Sequence, residues 1–333
     1  MTSKDSILNI TDPSLRQSPP GQTRSYPSPT TTGRIPFSIP AHSTTSETWY
    51  ALYGTLTSSS IPLIALHGGP GCGHNYLKTL ALLSTGPSAR PVILYDQIGC
   101  GNSTRFRSRR QDDSFWQPQL FMDELTNLVF SLGISQFDLL GQSWGGMLGA
   151  QYASTRPKGL RKLVICDSPA DMVTWVAVAN QMRALLPRDV QETLTRLEEK
   201  GETSSKEYEE AVLEFYKLFV CRVQPFPDEF NETMENLHDD DTVYYTMNGP
   251  SEFHVIGNLK TWDIRPELAK IEVPTLLING KFDEAQDVTM APFFKGITSP
   301  VKWVRFAESS HMPHLEETED FVIAVTNFLE EGQ

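Results

Sequence analysis

Three residues stand just beyond apolar runs, in an order that supports nucleophilic chemistry. They are Ser143 in Gly141-Gln142-Ser143-Trp144-Gly145-Gly146, Asp283 in Gly280-Lys281-Phe282-Asp283, and His311 in Ser309-Ser310-His311-Met312-Pro313. A serine hydroxyl is a poor nucleophile at neutral pH unless a base takes its proton in the transition state. His311 is placed to be that base, with Asp283 holding its tautomer and stabilising the imidazolium. His314, the other nearby histidine, follows Pro313 and lies further from the strand end, so it ranks below His311. The tetrahedral oxyanion needs N–H donors. One is the N–H of Trp144, directly after the serine; Gly69 in His67-Gly68-Gly69-Pro70-Gly71 is the candidate for the other, because glycine lets an N–H face a pocket with no side chain in the way. A single donor of this kind contributes roughly 3 to 4 kcal/mol in comparable sites. Chemistry of this type needs no metal and no organic cofactor.

These residues need rigid elements behind them. A bare Gly-x-Ser-x-Gly occurs by chance, but here the apolar run Phe137 to Leu140 precedes it and the small-residue segment Gly146 to Ala153 follows. Strand, turn and helix in that order make a nucleophile elbow, and Ser, Asp, His is the chain order of an α/β-hydrolase triad. The runs Ile61 to Leu66, Pro91 to Asp96, Leu163 to Cys166, Val273 to Asn279 and Val301 to Phe306 read as further strands; those with continuous apolar character suit a sheet covered on both faces. An amphipathic helix is expected over 118–132 and another over Val322 to Leu329, while Ile35 to Pro40 and Thr48 to Gly54 read as a short antiparallel pair. Asp96 also ends a strand, but its glycine-rich surroundings favour a role in bracing the loop. His67 reads as a structural hydrogen-bonding residue.

The expected fold is therefore α/β, an α/β-hydrolase fold with a mostly parallel sheet and an inserted helical cap. Residues 1–32, dense in Ser, Thr, Pro and Gln, read as a flexible N-terminal arm. Residues 33–169 form the first part of the core and 263–333 the second. Between them, 170–262 changes to helical segments such as Val190 to Lys200 and Tyr208 to Val220, a cap placed to roof the site.

Composition narrows the partners. The chain has 333 residues and a net charge of −13, with no basic cluster stronger than Arg105 to Arg110, which argues against nucleic acid and against an anionic membrane surface. No run approaches the ~18 apolar residues of a membrane span. Cys72, Cys100, Cys166 and Cys221 show neither paired spacing nor disulfide density, so they read as free thiols of a cytoplasmic protein; Cys72 and Cys100, beside glycines in loops, are expected to be accessible.

Five motifs in order, His67-Gly-Gly-Pro-Gly71, Asp96-Gln97-x-Gly-x-Gly101, Gly141-x-Ser-Trp-Gly-Gly146, Asn248-Gly-Pro-Ser-Glu-Phe253 and Ser310-His-Met-Pro313, resemble those of the proline iminopeptidase family of α/β-hydrolases. The resemblance runs from about residue 48 to the C-terminus and is strongest to the branch with the tricorn-associated aminopeptidase and the L-amino acid amidases. It implies a serine exopeptidase releasing an N-terminal residue, often proline, from short peptides or amides through an acyl-enzyme. In that branch two carboxylates bind the substrate's free ammonium, and they fall here on Glu252 and Glu284. Many proline-specific members carry Arg after Asp-Gln, where this chain has Ile98, and the first loop reads Gly71-Cys72-Gly73-His74 in place of a longer glycine run. A broad-specificity L-amino acid amidase thus stays beside the iminopeptidase reading. An esterase or thioesterase acting on a small metabolite, indifferent to the amino group, is the second alternative; a non-catalytic receptor on the same fold is the third, and the intact Ser-Asp-His set argues against it.

Overall fold

The computed structural model describes residues 17–39 and 44–332; residues 1–16 of the expected arm and Pro40 of the first expected strand lie outside them. Among the described residues the strands are β1 (Thr31–Ile39), β2 (Thr44–Tyr53), β3 (Leu63–Leu66), β4 (Val92–Asp96), β5 (Phe137–Gln142), β6 (Leu160–Cys166), β7 (Thr275–Gly280) and β8 (Val301–Phe306). The helices are α1 (Pro118–Ser131), α2 (Trp144–Ser154), α3 (Met172–Arg183), α4 (Arg188–Lys200), α5 (Lys206–Phe219), α6 (Asp228–Asp239), α7 (Thr242–Met247), α8 (Asp287–Gly296), α9 (Pro313–Glu316) and α10 (Thr318–Glu330).

The strands form one sheet in the order β1-β2-β4-β3-β5-β6-β7-β8. β1 pairs with β2, and β2 with β4, antiparallel; every later pairing is parallel. Parallel strands need both faces covered, and the side-chain alternation shows how. Leu63 and Ala65 of β3 pack on one face with the 3₁₀ segment Asn75–Ser84 and α10. Ile64 and Leu66 pack on the other with α1 and α2. All four are fully buried, which is why the run reads as continuously apolar.

β1 and β2 are longer than the expected pair and meet over nine residues, Thr31↔Leu52 to Ile39↔Thr44. Alternate residues Ile35, Phe37 and Ile39 are buried between the exposed Arg34, Pro36 and Ser38, a pattern diluted in sequence by Thr, Ser and Arg. Residues 17–30 also differ from the expected loose arm. The Gly21 N–H donates to the Glu316 carbonyl at 2.7 Å, Arg24 pairs with Glu319, and the Tyr26 hydroxyl donates to Glu229. Their partners lie some two to three hundred residues further along the chain, where composition cannot reveal them.

Helices α3 to α7 lie between β6 and β7. The chain leaves and re-enters the core at one point, where the Met172 N–H donates to the Trp262 carbonyl and the Ile264 N–H to the Ala170 carbonyl, beside a bridge between Asp171 and Asp263. Among the described residues no helix is long and apolar enough to cross a membrane.

Candidate active site

Ser143 sits between β5 and α2 with φ +56° and ψ −124°. A left-handed φ is strained for any residue with a Cβ, and here the flanking glycines make it possible. A Cβ at Gly141 would strike the Gly145 carbonyl, and one at Gly145 the Leu66 carbonyl. One at Gly146 would strike the Ser168 hydroxyl. Strand β5, strand β3 and helix α2 therefore approach to backbone contact around the serine. The turn is fastened by the Ser143 N–H, which donates to the Cys166 carbonyl at 2.9 Å, and by the Ser168 hydroxyl, which donates to the Ser143 carbonyl at 2.8 Å.

Asp283 lies in the loop after β7 and His311 in the loop after β8. His311 Nδ1 donates to Asp283 Oδ1 at 2.6 Å, and that oxygen also accepts the Ala285 N–H at 2.7 Å. With Nδ1 so engaged, Nε2 is left for the cavity, which Ser143, His311 and Gly69 all line. His314 does not line it; it is packed against Tyr76 and Phe321, and burial lowers its pKa to about 3. Among the described residues neither the Gly69 nor the Trp144 N–H is taken up by a protein acceptor outside the regular ladders. Gly69 has φ +106°, and a Cβ there would press on the Gly71 and Cys72 nitrogens.

The loops around these groups are braced from beneath. His67 Nδ1 donates to the Gly68 carbonyl, its Nε2 accepts the Gln97 N–H, and the Gln97 side chain joins the His67 carbonyl to the Trp144 indole. Burial holds His67 neutral, with its pKa lowered to about 4. Asp96 accepts from the His74 N–H, His74 Nδ1 and the Asn102 N–H, each at 2.8 Å. Burial opposes its charge, but His74 and these donors lower its pKa. Both residues have the bracing roles read from sequence.

Glu252 and Glu284 line the same cavity as Ser143 and His311. The Tyr244 hydroxyl donates to Glu252 Oε1 at 2.6 Å; Glu284 Oε1 lies 3.7 Å from His311 Nε2, and Glu284 Oε2 has no donor. Burial raises the pKa of both. For Glu284 the charges of Glu252 and then Asp283 raise it further, while Tyr244 and His311 partly offset the burial of Glu252. No lysine or arginine among the described residues pairs with either carboxylate.

A family model described as the alpha/beta hydrolase fold matches residues 61–318. A curated proline iminopeptidase of Heyndrickxia coagulans is 37% identical over 80% of this chain and 90% of its own. The chain belongs to the proline iminopeptidase family of α/β-hydrolases. Among solved structures, a proline iminopeptidase of Mycobacterium smegmatis is 41% identical with a TM-score of 0.80, covering 90% of this chain and 98% of that one. The structure of VinJ is 44% identical with a TM-score of 0.85, covering 91% and 99%.

Against the family's motifs, the structure adds residues that the sequence did not single out. Tyr76 accepts the Gly68 N–H on its hydroxyl and donates to Gln142 Oε1, each at 2.6 Å, and Gln142 Nε2 donates to the His311 carbonyl at 2.9 Å. One chain of bonds thus joins the Gly69 loop, the elbow and the histidine loop. Glu316 accepts from the Ser310 N–H and hydroxyl and from the Arg222 N–H, fixing the approach to His311. Trp175 of α3 donates to the Glu252 carbonyl and lies edge-on to the His311 ring. Ile98, the departure from the proline-specific pattern, is buried in the core with its N–H on Glu124, and does not line the cavity. Cys100 is buried too, against His67 and the Gln97 carbonyl, contrary to the expected accessibility; Cys72 is half-buried, beside the cavity.

Proposed function

We propose that this protein is a cofactor-free serine aminopeptidase releasing an N-terminal amino acid, proline among its substrates, from short peptides or amino acid amides. The observation that carries this reading is the pair of carboxylates in one cavity with Ser143 and His311, Glu284 buried and Glu252 half-buried, with no lysine or arginine among the described residues to balance them. Two such groups repel each other and are poorly solvated, so a cationic ligand is the counter-charge that restores the balance. A substrate α-ammonium held there sets its own carbonyl over Ser143, and only a terminal residue satisfies both contacts.

His311 then takes the Ser143 proton as Oγ attacks the carbonyl, and the Gly69 and Trp144 N–H groups receive the oxyanion. The protonated histidine returns the proton to the leaving amine. Water, activated by the same histidine, hydrolyses the acyl-enzyme and frees the amino acid. The helices inserted over residues 170–262 act as a cap. Tyr216, Met234, Leu237 and Tyr244 wall the tight inner cavity, about 50 Å³, and also line an outer one of about 540 Å³. The leaving chain is directed towards that outer space. Four cysteines free of disulfides fit work in a reducing cytoplasm.

Hydrolysis of prolyl, alanyl and leucyl anilides and of a simple acyl ester tests the assignment. Aminoacyl anilides turned over well above the ester support it, and the prolyl-to-alanyl ratio separates an iminopeptidase from a broad amidase. Turnover of the ester alone would replace it with the esterase reading.

A further inference from the structure

Asp167, directly after β6, takes no part in the chemistry above, yet its side chain lies at the triad. The residue has φ +53°, a left-handed backbone that aspartate tolerates better than most. Its N–H donates to the Ile278 carbonyl at 2.7 Å, which anchors it at the carboxyl end of β7, where the Asp283 loop begins. Asp167 is fully buried and, among the described residues, neither of its carboxyl oxygens has a donor of good geometry, the Gly280 backbone acting on it only weakly. Asp283 is equally buried; its Oδ1 is occupied by Ala285 and His311, but its Oδ2 has no donor. The two carboxyls stand within hydrogen-bonding reach of each other. The other titratable groups facing Asp167 are Glu316 from α9, the Tyr76 phenol and the Cys166 thiol, and no lysine or arginine among the described residues pairs with it.

Two buried carboxyls in contact cannot both ionise, so one keeps a proton. Asp283 has two good donors, the Ala285 N–H and the His311 imidazole, to support a negative charge; Asp167 has at most a weak one, the Gly280 backbone. We propose that Asp167 is a positioning residue of the triad, a neutral carboxylic acid whose O–H donates to Oδ2 of Asp283. Burial first, and then the charge of Asp283, push Asp167 well above the usual carboxylate range. The bond fixes the plane of the Asp283 carboxylate so that Oδ1 faces His311, and it draws charge from that carboxylate. This inference rests on the reading of Asp283 and His311 as the catalytic pair.

The test uses Asp167→Asn, whose amide N–H can replace the O–H donor but cannot ionise, and Asp167→Ala, which removes the donor. Active sites are counted with a serine-directed phosphonate, and aspartate side chains labelled with ¹³C are followed by NMR. The wild type should show one aspartate carboxyl still protonated at pH 7, absent from Asp167→Asn. Per titrated site, Asp167→Asn should keep kcat within about threefold and leave the acid limb of the kcat/KM profile in place. Asp167→Ala should lower kcat about ten- to hundredfold with KM unchanged. Its acid limb should move to higher pH, because an Asp283 short of a donor holds more charge against the imidazolium. A wild type with no protonated aspartate at pH 7 overturns the proposal. So does Asp167→Ala with wild-type kcat and acid limb, or Asp167→Asn as impaired as Asp167→Ala. Should Asp167→Ala not fold, the NMR comparison of Asp167→Asn with wild type decides alone. A wild type that neither labels nor turns over would remove the triad reading instead.

Discussion

A backbone such as that of Ser143 costs a non-glycine residue about 1–3 kcal/mol, and it is sustained by the Cys166 carbonyl, the Ser168 hydroxyl and the glycines around it. None of these supports involves Oγ. Ser143→Ala should therefore fold with an unchanged thermal midpoint while losing both turnover and phosphonate labelling; labelling that persists would remove Ser143 as the nucleophile. The places of Ser143, Asp283 and His311, each just beyond a strand, were legible in the sequence because each follows an apolar run. Tyr76, Gln142, Glu316 and Asp167 were not. Tyr76 looks like any core aromatic in Asn75–Ser84, and Gln142 fills a variable place in the elbow motif. Glu316 passes for a helix-terminal acid, and the four hydrogen bonds its carboxylate accepts exist only once α9 folds back over the His311 loop.

Elements position the site through close backbone approach, and the glycines set the tolerance. A methyl group at Gly145 would have to displace the backbone at Leu66, which is paired with Gly141 of β5 at the end of a strand that β4 and β5 hold from both sides. Gly145→Ala should cost about 3 kcal/mol or more in denaturant unfolding, with activity falling because the elbow shifts; an unchanged unfolding midpoint would mean that the strand and helix are not held as closely as described. The strands and the elbow were readable because apolar runs and glycines punctuate the chain. Helices α3, α6 and α8 were less so. Pro292 lies inside α8, a residue normally read as a helix breaker, and α3 carries apolar side chains on more than one face because it packs on both the core and the Glu252 loop.

Over the whole molecule, buried acids make stability depend on pH. Burial raises Glu124 from the ordinary 4.5 to about 8, partly offset by donors from Thr48 and Ile98. Between those values the folded chain holds a proton that the unfolded chain has released, so stability must fall as pH rises. His67 and His314, whose pKa values are lowered to about 4 and about 3, act in the opposite direction only below about pH 6.5, since above it they are neutral in both states. From pH 6.5 to 8.5 the Glu124 contribution is a loss of about 1–2 kcal/mol. Glu124→Gln keeps an acceptor for Thr48 and Ile98, and its unfolding free energy should fall less across that interval than that of the wild type. Equal slopes would place the Glu124 proton elsewhere. The net charge of −13 argues against polyanionic partners, but bulk charge could not locate Glu252 and Glu284, because what raises their pKa values is the surroundings the fold gives them.

The central claim is that Glu252 and Glu284 read a free ammonium beside a serine nucleophile. The direct measurement is kcat/KM for prolyl anilide and its N-acetylated counterpart, in the wild type and in Glu252→Gln and Glu284→Gln. The account predicts a strong wild-type preference for the free amine and a collapse of that preference, by about tenfold or more, in either variant. Equal losses on the free and acetylated substrates, or a wild type indifferent to acetylation, would contradict it.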